Sequence, residues 1–126
     1  MYALAERGQT DALLAWLTAH ERETGDADAK HWALVAAAEA NQVDTAEALM
    51  DAGADPNGSP TQHAYIKPLW KAAKRGHLAM VQRLVARGAR VHDTDGAGMT
   101  ALAYAQRYGR ADVVGYLAAF DQSVRQ

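Results

Sequence analysis

The chain has 126 residues, no cysteine and a formal net charge of −2, and 49% of its residues are apolar. That length suits one domain and the apolar share suffices for a packed core, while the missing cysteines exclude disulfides, thiol catalysis and thiolate metal sites. No run of about 18 apolar residues exists to span a membrane. Glu6 and Arg7 stand where an export signal would need an apolar stretch, so an intracellular, cytoplasmic protein is expected.

The charge is unevenly spread. Residues 1–63 hold eleven Asp and Glu against three Lys and Arg, a net −8, whereas residues 64–126 hold ten Lys and Arg against four Asp, a net +6. Such polarity either steers charged partners or reflects ordinary solvated helix faces.

Taken in order, the chain begins with a helical stretch near Tyr2–Arg7, turns at Gly8 and enters a second helix over about Asp11–Ala19. Leu13, Trp16 and Leu17 fall at i, i+3 and i+4 there and predict one apolar face. The charged segment from His20 to Lys30, HERETGDADAK, contains Gly25 and reads as a loop. A second pair follows, with Leu34, Ala37 and Ala38 facing inward from its first helix and Ala46, Leu49 and Met50 from its second. Asp11, Asp44 and Asp112 occupy matching places in the first turn of a helix, where a carboxylate complements the exposed amides.

The connection Asp55–Lys67, DPNGSPTQHAYIK, carries a turn cluster at Pro56–Pro60 and is two residues longer than the pattern requires. Tyr65 and Ile66 follow it as an aromatic–aliphatic pair at a projecting turn. The third pair, Leu69–Arg75 and Leu78–Arg87, is divided by Gly76-His77 and closed by Gly88-Ala89. Glycine after a helical run is the usual left-handed stop, having no Cβ to clash at positive φ. The fourth follows a hairpin-like turn at His92–Met99, with Asp95, Gly96 and Gly98. Gln106 stands in it where Ala38 and Ala73 stand earlier, and Tyr116 and Phe120 either seal the core or leave an apolar spot. Gly115 weakens the last helix, and the tail DQSVRQ is expected to fray.

The four pairs are one repeated unit. Their turns lie at Gly8-Gln9, Asn41-Gln42, Gly76-His77 and Gly109-Arg110, spaced 33, 35 and 33 residues apart. Asn41 fits because Asn is the non-glycine residue that best tolerates the left-handed conformation. The segments ALAERGQTDALLAWL, ALVAAAEANQVDTAEALMDAGADPN, PLWKAAKRGHLAMVQRLVARGARVH and ALAYAQRYGRADVVGYL align throughout. This unit resembles the ankyrin repeat, with its period of about 33 and its Thr-Pro-Leu-His signature. Here the signature stands as Lys67-Pro68-Leu69-Trp70 and Thr100-Ala101-Leu102-Ala103.

The resemblance implies an all-α solenoid of four stacked helix-turn-helix units with projecting turns, one domain over 1–126 with repeats at about 1–28, 29–63, 64–96 and 97–126. It also implies a protein-binding concave face. On this chain that face would hold His31, Ala36, Glu39, Tyr65, Ile66, Lys71, Lys74, Arg75, Met99, Tyr104, Arg107 and Tyr108. Trp70, at the place of the family's histidine, would be either core or an anchor on that face. Val35 and Ala103 share its register, so the family's inter-repeat histidine network is expected to be missing, while His77 fits the turn position that ankyrin units often give to histidine. Aromatics and arginine carry much interface energy, and the cluster Lys67, Lys71, Lys74, Arg75, Arg107 and Arg110 favours an acidic patch on the partner.

Catalysis is not expected. His20, His31, His63, His77 and His92 are scattered singly, read as turn and loop residues, and lack metal spacing. Gly96-Ala97-Gly98 is no phosphate loop, Ser59 and Ser123 lack a nucleophile elbow, and no cofactor is implied. The chain thus reads as a non-catalytic module, monomeric on its own, that occupies a partner protein's surface, as an inhibitor, antitoxin or immunity-type protein would. Two alternatives belong to other classes. One is nucleic-acid or anion binding by the basic units, against which the acidic first half and missing motif argue. The other is self-association through Tyr116 and Phe120.

Overall fold

Four residues with positive φ set the architecture: Gly8, Asn41, Gly76 and Gly109, at 70°, 59°, 75° and 70°. At each, the chain leaves a helix through the same pair of bonds. The left-handed residue donates its N–H three residues back, and the next residue donates five back: Gln9 to Leu4 (2.9 Å), Gln42 to Ala37 (2.9 Å), His77 to Ala72 (3.0 Å) and Arg110 to Ala105 (2.8 Å). That 6→1 closure is the glycine-type helix stop. Gly53 and Gly88, at 107° and 97°, end the second helices in the same hand.

The computed structural model describes residues 4–5, 7–24, 28–57 and 66–125, with side chains to residue 120. It is helical, with α1 (Thr10–Thr24), α2 (Ala29–Glu39), α3 (Val43–Asp51), α4 (Pro68–Arg75), α5 (Leu78–Ala86), α6 (Ala101–Arg107) and α7 (Ala111–Arg125), and without a strand among the described residues. The first helices α2, α4 and α6 pack side by side, and the second helices α1, α3, α5 and α7 form a parallel outer row. No helix among the described residues is long and apolar enough to cross a membrane.

Local chemistry starts the inner helices. Pro68 occupies the first turn of α4 after an extended Lys67, a position where its missing N–H costs nothing. Thr100 caps α6 by accepting the Ala103 N–H at 3.1 Å. Ala33, Ala36, Ala37 and Ala38 of α2 are all buried, and these small side chains let helix pairs approach closely. Leu13, Leu17, Leu34, Leu49, Leu69, Met80, Leu84 and Val113 are fully buried between the rows, at roughly 1.5–3 kcal/mol for each large side chain removed from water.

Three expectations change. Helix α1 runs to Thr24 rather than Ala19, because nothing before Gly25 breaks it; Thr24 Oγ1 donates to the His20 carbonyl at 2.7 Å. On α1 the buried apolar residues are Leu13 and Leu17, whereas Trp16 is 38% exposed and stacks on His20 at 4.5 Å. The last helix continues to Arg125, since DQSVR contains neither Gly nor Pro to stop it.

The expected turn at His92–Met99 is present and is organised by one carboxylate. Asp95 Oδ1 accepts the N–H groups of Ala97 and Met99, each at 2.9 Å, while Gly98 donates to the Asp95 carbonyl with φ 80°.

Candidate protein-binding face

The inner helices carry three rows at the repeat spacing: Ala36, Lys71 and Tyr104; Glu39, Lys74 and Arg107; Ala40, Arg75 and Tyr108. Neighbouring rows touch diagonally. Arg75 Nη2 donates to Glu39 Oε1 at 2.7 Å, and one repeat later Lys74 Nζ lies 5.2 Å from the centroid of Tyr108. The Arg75 hydrogen bond holds the Glu39 carboxyl below its ordinary value against the opposing effect of burial, with Lys71 and Lys74 adding to it. Ala36 is buried, Lys71 and Lys74 are half-buried, and Arg107 and Tyr108 are exposed.

Tyr104 donates its hydroxyl to Asp95 Oδ2, joining the face to the last projecting turn. That bond lowers the Asp95 carboxyl and raises the Tyr104 phenol relative to their ordinary values. Arg107 Nη1 approaches the Met99 sulfur at 3.9 Å, so Met99, Tyr104, Arg107 and Tyr108 form one continuous surface. Ile66 is 37% exposed; Tyr65 lies outside the described residues.

Three residues named for this face do not open onto it: Ala36, 8% exposed, His31, and Trp70, which the sequence leaves as either core or anchor. His31 lies within α2 rather than in a loop and is 1% exposed, so it offers no surface to a partner. Its Nε2 donates to the Ile66 carbonyl at 2.8 Å. A histidine bond between repeats therefore exists, one helical turn before the register of Val35 and Trp70. Trp70 is 9% exposed and tilts against Tyr104 at 6.5 Å, so it is a core residue that supports the face from beneath.

The basic cluster also divides. Lys67 donates to Asp93 Oδ2 and to the Asn57 carbonyl, both at 2.6 Å, and so ties together two projecting turns. Arg110 Nε donates to the Lys74 carbonyl at 2.9 Å. Among the described residues, Lys71, Lys74 and Arg107 meet no carboxylate at ion-pair distance.

Sequence reasoning missed how the halves are fastened. His77 Nε2 donates to the Glu39 carbonyl at 3.0 Å, and Arg110 repeats that reach to Lys74 one unit later. On the outer row Arg87 pairs with Glu47 and Asp51, each at 2.6 Å, and Arg83 with Glu47 at 3.6 Å. Asn57 donates to the Gly88 carbonyl at 2.8 Å and accepts the Arg90 N–H at 2.7 Å. Part of the charge polarity is therefore internal: arginines of the third unit hold acids of the second. The signal was available as opposite charges 36 and 40 residues apart.

Helix pairs stand in register, with left-handed turns and first helices side by side, and residues 69–118 match the family model for ankyrin repeats (many copies). Residues 69–118 carry ankyrin repeats. Such repeats generally serve as protein–protein interaction modules. No curated protein matches the chain. Among the described residues, no three His, Cys, Asp or Glu side chains gather as metal ligands would. A shallow groove of about 250 Å³ runs between Arg75-Gly76 and Gly109–Val113 and shares Arg75 with the third row.

Proposed function

We propose that this ankyrin stack is a non-catalytic module that binds an acidic segment of a partner protein across the face formed by Lys71, Lys74, Tyr104, Arg107 and Tyr108. One observation carries the reading. Three cations without a carboxylate partner among the described residues interleave with two tyrosines on adjacent helices. Aromatic and arginine side chains on a pre-formed surface make contacts that need little reordering on binding. Glu39 narrows the patch by pairing with Arg75, so the acidic segment lies over α4 and α6 rather than α2. Acting by occlusion, as an inhibitor does, requires nothing beyond this contact.

The test starts by recovering a stoichiometric partner from native lysate with the full chain as bait. The variant Lys71→Glu/Lys74→Glu/Arg107→Glu should lose binding by at least about tenfold, the equivalent of roughly 1.4 kcal/mol, with a nearly unchanged thermal melt. Binding should weaken as salt rises. Unchanged binding by the triple variant overturns the assignment of the face. A DNA or RNA titration at low salt should stay flat; a steep, salt-sensitive isotherm would replace the protein partner with nucleic acid.

A further inference from the structure

The two ends of the stack expose positions that the middle of the stack buries. Thr45, Met80 and Val113 share one register position and are buried, whereas Ala12 at that position is exposed. Leu49, Leu84 and Leu117 share another and are at most 2% exposed, whereas Trp16 is 38% exposed. These positions are buried wherever a unit precedes them.

A second set behaves in the opposite sense. Leu34 and Leu69 are at most 2% exposed, but Leu102 is half-buried. Leu13, Ala46 and Val81 are fully buried, but Val114 is half-buried. Ala38 and Ala73 are buried, but Gln106 is exposed. These positions are buried wherever a unit follows them. Terminal repeats of a soluble stack ordinarily turn a polar face outward; here Gln106 is polar, while Leu102, Ala103 and Val114 keep the apolar character of the internal interface.

We infer that a second copy of this chain docks on this end, the Trp16 face of one copy covering the Leu102–Val114 face of the other and continuing the repeat interface between molecules. Charge selects this polarity. The first unit, residues 1–28, carries two Lys and Arg against six Asp and Glu, a net −4, and the last, residues 97–126, three against two, a net +1, so head-to-tail contact opposes unlike charges, whereas head-to-head contact opposes two acidic units. Exposed Asp11 flanks Ala12 on the first face, and exposed Arg107 and Arg110 flank Gln106 on the last. The contact is heterologous and leaves a free face at each end, so it adds copies without closing.

Sedimentation velocity of the full chain from about 10 μM to about 1 mM at low salt tests this, the range in which weak heterologous contacts register. The weight-average mass should climb from 13.5 kDa past two chains without a plateau, and fall back at high salt. Trp16→Glu and Val114→Glu should each abolish the rise, with Ala103→Glu as the second end-face variant should Val114→Glu lower the melt. A mixture of Trp16→Glu with Val114→Glu should form a discrete pair, because one intact face of each kind remains. A wild-type mass constant at one chain overturns the proposal. So does a plateau at two chains, or a variant mixture that stays monomeric.

Discussion

Lys74 Nζ stands 5.2 Å from the centre of the Tyr108 ring, in the place where Glu39 meets Arg75 one repeat earlier. The same diagonal between repeats is thus an ion pair at one junction and a cation–ring contact at the next. The ring leaves the lysine charged without neutralising it, so positive potential persists over α4 and α6. An exposed contact of this kind contributes about 0.5–1 kcal/mol. A double-mutant cycle of Lys74→Ala and Tyr108→Ala in urea should give a coupling of that order, each single variant costing less than about 1 kcal/mol. A coupling near zero would mean that Tyr108 is held by the helix alone.

His31 predicts the opposite behaviour. Its side chain is buried and bonded to the Ile66 carbonyl, so His31→Ala leaves a cavity and removes a bond that joins α2 to the segment before α4. The expected loss is about 2–4 kcal/mol, with partner affinity unchanged wherever the variant is still folded. An affinity loss without a stability loss would return His31 to the surface.

These two residues show what the sequence carries and what it conceals. Gly8, Asn41, Gly76 and Gly109 were legible because a left-handed turn restricts residue type, and their spacing then announced the stack. His31 was not, because its partner is a backbone carbonyl, which leaves no trace in residue identity. Trp16 fitted a helical apolar face by spacing, yet periodicity does not say whether a neighbour covers that face. Lys67 and Arg75 looked like members of one basic patch; only the fold shows Asp93 and Glu39 beside them. Charge at the candidate face was therefore overcounted, while Lys71, Lys74 and Arg107 meet no carboxylate at ion-pair distance among the described residues.

Acid should loosen the stack through Glu39 and Asp95. Both carboxyls are held below their ordinary values, Glu39 chiefly by the Arg75 hydrogen bond and Asp95 chiefly by the Tyr104 hydroxyl. A depressed carboxyl contributes stability that is full above its unfolded value of about 4 and is lost as pH falls through the folded value. The raised Tyr104 phenol works from the other side, its contribution fading as pH climbs past about 10. The thermal midpoint should therefore be flat near neutrality and fall at both extremes. Glu39→Gln and Asp95→Asn should each reduce the acid drop, and Tyr104→Phe the alkaline one. An acid limb identical in the wild type and both carboxyl variants would place the titration elsewhere.

Two glycines, substituted alike, should move stability in opposite directions. Gly76 has φ +75°, and a Cβ added there would come within 2.8 Å of Arg110 Cδ. Gly76→Ala must therefore adopt a left-handed conformation and also displace the Arg110 side chain from the Lys74 carbonyl. A loss of at least about 1 kcal/mol is expected from the backbone alone. Gly115 lies within α7, and a Cβ added there meets nothing within 4 Å. Gly115→Ala should gain about 0.5–1 kcal/mol by restricting the unfolded chain and favouring the helix. Urea midpoints at constant slope measure both. Adding Arg110→Ala to Gly76→Ala separates the two costs, because only the backbone penalty should remain once the obstructing side chain is gone.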